Sequence, residues 1–254
     1  MKIAIITGAS SGIGREFVRQ LDARLEVDEF WVIARRTARL EELKETVKNK
    51  IVPISLDLTE RLDVEKYKAQ LEEANPEVVA LVNAAGYGKI GLSEDLSAME
   101  QSDMVELNVR ALTDVTLLTL PYMKKGTCIW QMASLSSFMP LPYLSVYAAT
   151  KAYVLSFSRS LSREMKPRGI RVMAVCPGWV RTEFLNRAAE KPDVLRHYGC
   201  FYMASDVVAR ALRDMDKRKE VSIYGTQTRT LILLSKVLPH GWVETIWCCL
   251  QKKK

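Results

Sequence analysis

Short apolar segments alternate with amphipathic ones along this chain, and that alternation limits the folds it can adopt. The predicted strands are Lys2–Ile6, Phe30–Ala34, Ile51–Ser55, Val78–Val82, Thr127–Met132 and Ile170–Cys176. Strands buried on both faces of a parallel sheet have this short, apolar character. Between the first two, Ile13, Phe17 and Leu21 recur at the spacing of a helix face. The pattern predicts an α/β fold with one doubly wound parallel sheet of about seven strands and helices on both faces.

The composition is that of an ordinary globular protein, and nothing divides the chain. Of the 254 residues, 48% are hydrophobic and 26% are charged, which excludes disordered and collagen-like classes. No Gly/Ser-rich or Pro-rich linker interrupts the sequence, so we expect a single domain over residues 1–254. The five cysteines lack metal-binding spacing, and we therefore expect free thiols and no metal site.

Positive charge is concentrated at the carboxyl end. The formal net charge is +7, and the segment from Lys217 onward holds eight basic residues against two acidic ones. Nucleic-acid binding would need basic residues spread over a face with aromatic platforms, so we expect no nucleic-acid partner. The first strand follows Met1 directly, and no segment has the roughly 20 apolar residues of a membrane span. These features predict a cytoplasmic protein.

A glycine-rich loop joins the first predicted strand to the first helix. Its sequence is Thr7-Gly8-Ala9-Ser10-Ser11-Gly12-Ile13-Gly14. Gly8 permits a tight turn, Gly12 lets the backbone approach a pyrophosphate, and Gly14 allows the helix to pack closely on the strand. The position of the loop predicts the phosphate site of a dinucleotide in a Rossmann-type sheet. A plain glycine turn is the alternative.

Two arginines follow the second strand, where a residue that contacts the adenosine ribose is expected. An acidic residue there would bind the ribose hydroxyls and select NAD(H). Arg35 and Arg36 instead suit a 2′-phosphate, which favours NADP(H), unless they are only solvated charges. At the end of the third strand, Asp57-Leu58 is placed to contact the adenine amino group or to cap the helix beginning near Thr59.

A tyrosine and a lysine lie four positions apart in a helical segment from Val146 to Met165. This spacing puts Tyr147 and Lys151 on one helix face, about 6 Å apart at Cβ. A neighbouring ammonium favours the phenolate, so Lys151 and a cationic nicotinamide ring are expected to bring the tyrosine pKa to about 7. Ser134 ends the fifth strand, where it could hold a substrate oxygen beside the phenol or only cap the strand end.

Together these residues resemble the short-chain dehydrogenase/reductase family in its basic form. The resemblance runs from Lys2 to about Ile223. It rests, in order, on the glycine loop, Asn83-Ala84-Ala85-Gly86, Asn108, Ser134, Tyr147 with Lys151, and Cys176-Pro177-Gly178. It implies an enzyme that reduces a carbonyl to a secondary alcohol, or the reverse, with NADP(H). A protein that binds NADP(H) without catalysis, as a sensor or scaffold, is the alternative function.

The resemblance also implies a role for each matching residue. Ser134, Tyr147 and Lys151 would orient the carbonyl, donate the proton and bind the nicotinamide ribose. Asn108 would hold a water next to Lys151 and complete a proton relay. The other implied cofactor contacts are Asn83, Ala84, Ala85 and Gly86 beside the adenosine ribose, and Pro177, Gly178, Val180 and Thr182 at the nicotinamide and pyrophosphate. Ser10 and Ser11 stand where other members of the family carry a basic residue, which weakens the case for NADP(H).

Residues 183–203 fall where the family places its variable substrate loop. Their large apolar side chains are Phe184, Leu185, Tyr198, Phe201, Tyr202 and Met203. With Leu141 and Tyr143, these side chains would form an apolar wall. Such a wall favours a lipophilic substrate such as a hydroxysteroid, a ketosteroid or a ketoacyl compound, although the same side chains could merely pack the loop.

The C-terminal extension, residues 228–254, exceeds the usual length of the family. Its apolar segments Leu231–Leu234 and Val243–Leu250 are separated by Pro239 and Gly241, which predicts a short helical hairpin or two short helices. Three interpretations remain open: peripheral contact with anionic lipid, a cover over the substrate pocket, or packing on this or a second subunit. By analogy with the family we expect a homodimer or a homotetramer.

Overall fold

The main sheet has seven parallel strands, as the alternating pattern predicted. The computed structural model describes residues 1–188 and 194–252. In these residues the strand order is β3-β2-β1-β4-β5-β6-β9. The strands are β1 (Lys2–Thr7), β2 (Glu29–Ala34), β3 (Lys50–Ser55), β4 (Glu77–Asn83), β5 (Met123–Met132), β6 (Arg171–Val175) and β9 (Val221–Ser222). A separate two-stranded parallel sheet contains β7 (Trp179–Val180) and β8 (Phe201–Tyr202).

Helices connect the strands and cover both faces of the sheet. They are α1 (Gly12–Asp22), α2 (Thr37–Glu41), α3 (Arg61–Ala74), α4 (Ala98–Val105), α5 (Leu112–Thr119), α6 (Ser145–Met165), α7 (Phe184–Ala188), α8 (Ala204–Asp216), α9 (Thr226–Val237) and α10 (His240–Leu250). A π-helical segment, Glu106–Ala111, joins α4 to α5, and a 3-10 turn, Leu135–Phe138, follows β5. The pair Ser205-Asp206 is typical of a helix start, but Met203 is the N-cap of α8, and it makes no side-chain cap bond.

The alternation of side chains along β1 explains the two-faced core. Ala4 and Ile6 pack with α1 and α8 on one side, whereas Ile3 and Ile5 pack with α3, α5 and α6 on the other. Successive strand residues face opposite sides, so a strand covered on both faces must be apolar at every position. Each fully buried isoleucine contributes roughly 1.5–3 kcal/mol to folding.

The strand order reverses direction between β1 and β4, and this point locates the site. Chains of this topology bind ligands at the carboxyl ends of the strands flanking the reversal. Here those ends are Thr7 and Asn83. The predicted C-terminal pair of helices is present as α9 and α10. No helix in the described part of the chain is long and apolar enough to cross a membrane.

Candidate active site

The glycine loop has the close contacts that its sequence predicted. Gly8 and Gly12 adopt positive φ of 68° and 55°. A Cβ on Gly8 would lie 2.6 Å from the carbonyl carbon of Ala84, and one on Gly14 would overlap the carbonyl oxygen of Gly8. Helix α1 has no acidic residue in its first turn, and its N-cap, Ser11, makes no side-chain cap bond. The backbone N–H groups at this helix start therefore suit an anion.

The two arginines lie beside this loop, but in different environments. Arg36 donates to Ser10 Oγ at 3.2 Å, to Ser11 Oγ at 3.1 Å and to Glu183 Oε2 at 2.8 Å. Arg35 is exposed and pairs with Asp57 at 3.4 Å. Sequence reasoning missed Glu183, for which no local pattern gave a signal.

Asp57 stabilises its own turn. Its Oδ1 accepts hydrogen bonds from the Thr59 amide at 3.0 Å and the Thr59 hydroxyl at 2.7 Å. Burial would raise the pKa of Asp57, but these bonds and Arg35 hold the pKa below its ordinary value. Helix α3 begins only at Arg61, so the expected cap of a helix near Thr59 is wrong. Leu58 is buried in the core.

The segment after β4 links the loop to the proton-transfer residues. Thr7 Oγ1 accepts from the Ala85 amide at 3.1 Å. The Asn83 side chain donates to Thr116 Oγ1 at 2.9 Å, inside the core. A Cβ on Gly86 would lie 2.8 Å from Asn108 Oδ1 and 3.4 Å from Lys151 Nζ. A side chain at Gly86 would therefore crowd both groups.

Asn108 lies in the π-helical segment and is fully buried. Its Oδ1 accepts from the Tyr87 amide at 3.1 Å. Its Nδ2 donates to the Tyr87 carbonyl at 2.8 Å and to Thr150 Oγ1 at 3.1 Å. The side chain thus joins the segment after β4 to α6. Both amide protons of Asn108 are used in these two bonds. The water-holding role of Asn108 stays a prediction.

Lys151 and Tyr147 meet on one face of α6. Lys151 is buried, and its Nζ donates to the Met132 carbonyl at 2.8 Å and lies 5.7 Å from the centroid of the Tyr147 ring. Burial lowers the pKa of Lys151 to about 8. Burial raises the pKa of Tyr147 to about 12, while its side-chain hydrogen bond with Ser134 acts in the opposite direction.

The expectation that the lysine lowers the tyrosine pKa is therefore not met in these contacts. The ammonium points to the Met132 carbonyl at the end of β5 rather than to the phenol. Desolvation dominates the phenol, because it opposes the charged form of a buried group. The environment keeps Tyr147 neutral, which is the form that can donate a proton.

Ser134 caps the 3-10 turn after β5, because its Oγ accepts from the Ser136 amide at 3.2 Å. Its side chain also acts to lower the pKa of Tyr147, and its role in holding a substrate oxygen stays a prediction. Ser137 Oγ completes a capping box on the Ser134 amide and donates to the Lys151 carbonyl at 2.8 Å. The spacing of the two serines was an available signal for this turn.

One cavity of about 530 Å³ runs from the glycine loop past these residues. Its wall near the loop and the proton-transfer residues contains Ser11, Gly12, Ile13, Ala84, Gly86, Ser134, Tyr147, Lys151, Pro177, Gly178, Val180 and Thr182. The predicted apolar wall is half right. Leu141, Phe184, Leu185 and Tyr198 line the cavity.

The other four predicted wall residues lie elsewhere. Phe201 and Met203 are exposed. Tyr202 packs edge-on against Tyr224 with ring centroids 5.1 Å apart, and Tyr143 packs beside the cavity in an apolar cluster. Neighbouring residues of a strand point to opposite sides, so Phe201 and Tyr202 of β8 cannot share one wall. Residues 189–193 of the predicted substrate loop lie outside the described part.

The C-terminal helices form part of the cavity wall, which was one of the interpretations that the sequence left open. The contributing residues are Leu231, Leu234 and Leu238 from the α9 end and Val243, Ile246, Trp247 and Leu250 from α10. Trp247 Nε1 donates to the Pro142 carbonyl at 2.9 Å. Gln251, which is fully buried, accepts from the Arg196 and His197 amides at 2.8 and 3.0 Å. The extension thus covers the pocket.

Comparison with known proteins gives the class. The family model described as short chain dehydrogenase matches residues 2–193. The chain belongs to the short-chain dehydrogenase family, an oxidoreductase family acting on alcohols and carbonyls with a nicotinamide dinucleotide. This confirms the resemblance predicted from the motifs.

Individual relatives place the chain within that family. A short-chain dehydrogenase from Sphingobium yanoikuyae, solved with NADPH, is 30% identical, with a TM-score of 0.77 over 88% of this chain and 87% of that one. A bulky-bulky ketone specific alcohol dehydrogenase from Comamonas testosteroni is 26% identical, with a TM-score of 0.74 over 93% and 92%. Sulfoacetaldehyde reductase 2 from Chromohalobacter salexigens is 32% identical over 72% of this chain and 74% of its own.

Proposed function

We propose that this protein is an NADP(H)-dependent reductase of lipophilic ketones, which also runs in the alcohol-oxidising direction. The observation that carries the proposal is the meeting of Ser134, Tyr147 and Lys151 on the wall of a cavity that continues to the glycine loop. A protein that only bound the cofactor would not need a serine and a tyrosine together on the wall of that cavity.

The described residues fit a dinucleotide. Gly8 and Gly14 leave the close backbone approach that a pyrophosphate loop needs, and the start of α1 presents N–H groups. Lys151, next to Gly86, is placed to bind the nicotinamide ribose. Thr182 lies against Gly12, where it would contact the pyrophosphate or the carboxamide.

The NADP(H) preference rests on Arg36 and Arg35. Arg36 lies over the two serines of the glycine loop, and Arg35 stands exposed at the end of β2. Guanidinium groups bind phosphate with paired, charge-assisted hydrogen bonds. A 2′-phosphate would compete with Glu183 for Arg36. The relative solved with NADPH agrees with this preference.

The residues around the phenol can position a carbonyl and protonate it. Bound NADPH supplies the hydride that adds to the carbonyl carbon. Ser134 and Tyr147 hold the carbonyl oxygen between their hydroxyls, and the neutral phenol gives its proton to the oxygen as negative charge develops there. Lys151 orients the ribose and, through Asn108 and water, connects the phenol to solvent.

The substrate end of the cavity is apolar, which favours a bulky lipophilic ketone. Phe184 packs on the Tyr147 ring with centroids 5.5 Å apart, and Leu141, Leu144 and Trp179 also line this end. The relative named for bulky-bulky ketones supports this class. The relative that reduces sulfoacetaldehyde takes a small anion, which this wall would not favour.

A graded series of ketones tests the proposal on the wild-type protein. NADPH oxidation is measured with cyclohexanone, a steroid-sized ketone and a β-ketoacyl thioester, and then with NADH in place of NADPH. We expect kcat/KM to rise with the apolar area of the ketone and to be higher with NADPH. Tight NADPH binding without turnover of any of the three would instead favour the sensor or scaffold function.

A further inference from the structure

The cavity opens to the surface between α9 and α10 through an apolar mouth. Leu231 and Leu234 of α9 and Ile246 and Leu250 of α10 line the cavity, and all four are also exposed. A side chain that is both a cavity wall and a surface residue marks an opening. The exposed residues His197, Gly199, Cys200 and Gln227 also line the cavity, so the opening is apolar on its α9 and α10 side only.

Further exposed apolar side chains lie on the same two helices as the mouth. Leu233, Val237 and Trp242 are 64%, 75% and 65% exposed, and none of them lines the cavity. Val237 lies one turn from Leu233 on α9, and Trp242 lies one turn from the mouth residue Ile246 on α10. Several large exposed apolar side chains on neighbouring helices mark contact with another apolar phase. We call Leu233, Val237, Trp242 and the four mouth residues the apolar face.

The apolar face is held in place. Every residue of α10 is exposed or half-buried, yet its two anchors are strong. Trp247 is bonded to the Pro142 carbonyl, and the buried Gln251 side chain binds the backbone of Arg196 and His197. The helix is thus fixed beside the mouth, and its apolar side chains are presented outward.

The charge around the apolar face favours an anionic lipid surface over a second copy of this chain as its partner. From Thr226 to the end, the sequence has five basic residues, Arg229, Lys236, Lys252, Lys253 and Lys254, against one acidic residue, Glu244. Lys253 and Lys254 lie outside the described residues. A second copy of this chain would bring like charges together. An anionic lipid surface offers both the apolar phase and the opposite charge.

We propose that the apolar face docks on an anionic lipid surface, and that the mouth opens into it so that a lipophilic ketone enters the cavity from the bilayer. The docking stands on the surface alone, whereas the entry step rests on the proposed ketone reductase function. Trp242 lies at the membrane–water boundary, where tryptophan is enriched. Lys252, which follows α10, lies at the headgroups.

Flotation with vesicles tests the docking without any activity measurement. The wild-type protein is mixed with vesicles of equimolar phosphatidylcholine and phosphatidylglycerol, or of phosphatidylcholine alone. We expect binding to the mixed vesicles that falls with added salt. The triple variant Leu233→Ser/Val237→Ser/Trp242→Ser should bind at least about tenfold more weakly. Leu62→Ser is the matched control, because Leu62 is 78% exposed on α3, away from the mouth.

Two outcomes overturn the docking. One is a wild-type protein that does not float with the mixed vesicles. The other is a wild-type dimer that becomes a monomer in the triple variant by analytical ultracentrifugation while flotation is unchanged, since the apolar face would then be a subunit interface.

The entry step is tested by presenting the ketone in two ways. A steroid-sized ketone embedded in the mixed vesicles should be reduced about tenfold more slowly by the triple variant, whereas reduction of dissolved cyclohexanone should be unchanged. Equal rates on the embedded ketone would overturn entry from the bilayer. Flotation without NADPH oxidation on either ketone would instead refute the proposed function and leave the docking standing.

Discussion

Burial favours the neutral forms of both Lys151 and Tyr147, so it shifts their pKa values in opposite directions. Burial lowers the pKa of Lys151 to about 8 and raises that of Tyr147 to about 12. At neutral pH the charged form of Lys151 is destabilised by burial, whereas the neutral form of Tyr147 is not. The Tyr147 hydroxyl therefore stays protonated at neutral pH, as a proton donor must be.

The lysine shift predicts a pH-dependent stability. The unfolded chain binds more protons than the folded one between the folded pKa of Lys151 and its ordinary value, so in that window stability rises with pH. Lys151→Met removes this dependence. From pH 7 to pH 10, we expect the unfolding free energy of the wild type to rise by about 2–3 kcal/mol relative to that of the variant.

Urea unfolding at the two pH values measures this difference. Lys68→Met, an exposed lysine on α3, is the control and should show little change. A difference between Lys151→Met and the wild type that stays constant from pH 7 to pH 10 would show that Lys151 keeps an ordinary pKa in the fold.

Arg36 is expected to distinguish the two cofactors. Its guanidinium lies on the serines of the glycine loop, so Arg36→Ala should weaken NADPH binding about 10- to 100-fold and leave NADH binding nearly unchanged. Fluorescence titration gives both affinities. Arg24→Ala, which breaks only a surface ion pair, is the control. An equal loss for NADH and NADPH would contradict a 2′-phosphate role.

At the scale of elements, the junction of β1 and α1 depends on one missing side chain. A Cβ at Gly14 would overlap the Gly8 carbonyl, whereas a Cβ at Gly241 in α10 would meet no heavy atom of the described residues within 4 Å. Gly14→Ala should lower stability by roughly 1–3 kcal/mol through overpacking and weaken dinucleotide binding. Gly241→Ala should be neutral or stabilising by up to about 1 kcal/mol, since alanine favours a helix.

Thermal unfolding with and without NADPH compares these two glycine variants. Equal stabilities would mean that the helix can shift away from the strand without cost. In that case the close packing at Gly14 would not be what fixes the loop.

The buried side chain of Gln251 fixes the C-terminal end of α10 to the segment that contains Arg196 and His197. Removal of this buried side chain leaves the amides of Arg196 and His197 without their acceptor. Gln251→Ala should therefore cost about 2–4 kcal/mol and speed hydrogen exchange in α10. Gln20→Ala, which removes bonds made at the surface, is the control. Unchanged exchange in α10 would show that Trp247 alone anchors the helix.

Over the whole molecule, the sequence predicts elements that have a local pattern, and it does not predict side-chain contacts between residues far apart in the chain. Six of the seven strands follow from apolar runs, and the roles of the loop glycines follow from their places between β1 and α1. Contacts across the fold carry no such local pattern. Glu183 reaches Arg36 from 147 positions away, and Gln251 reaches Arg196 from 55.

The substrate wall shows the same limit. Phe201, Tyr202 and Met203 were reasonable wall residues by composition, but the pairing of β8 with β7 directs them elsewhere. The leucines of α9 fill that place instead. Spacing on a helix gives the distance between Tyr147 and Lys151 but not the direction of the ammonium, which points to the Met132 carbonyl.

Proton donation by Tyr147 to a substrate, beside a dinucleotide in one cavity, is the step on which the proposed function depends. The most direct test is single-turnover ketone reduction by Tyr147→Phe, with Tyr153→Phe as the control from the same helix, whose hydroxyl bonds to Thr113. We expect Tyr147→Phe to lose about 10²- to 10⁴-fold in rate with NADPH affinity unchanged, and Tyr153→Phe to keep its rate. A Tyr147→Phe protein that reduces the ketone at the wild-type rate would show that Tyr147 is not the proton donor.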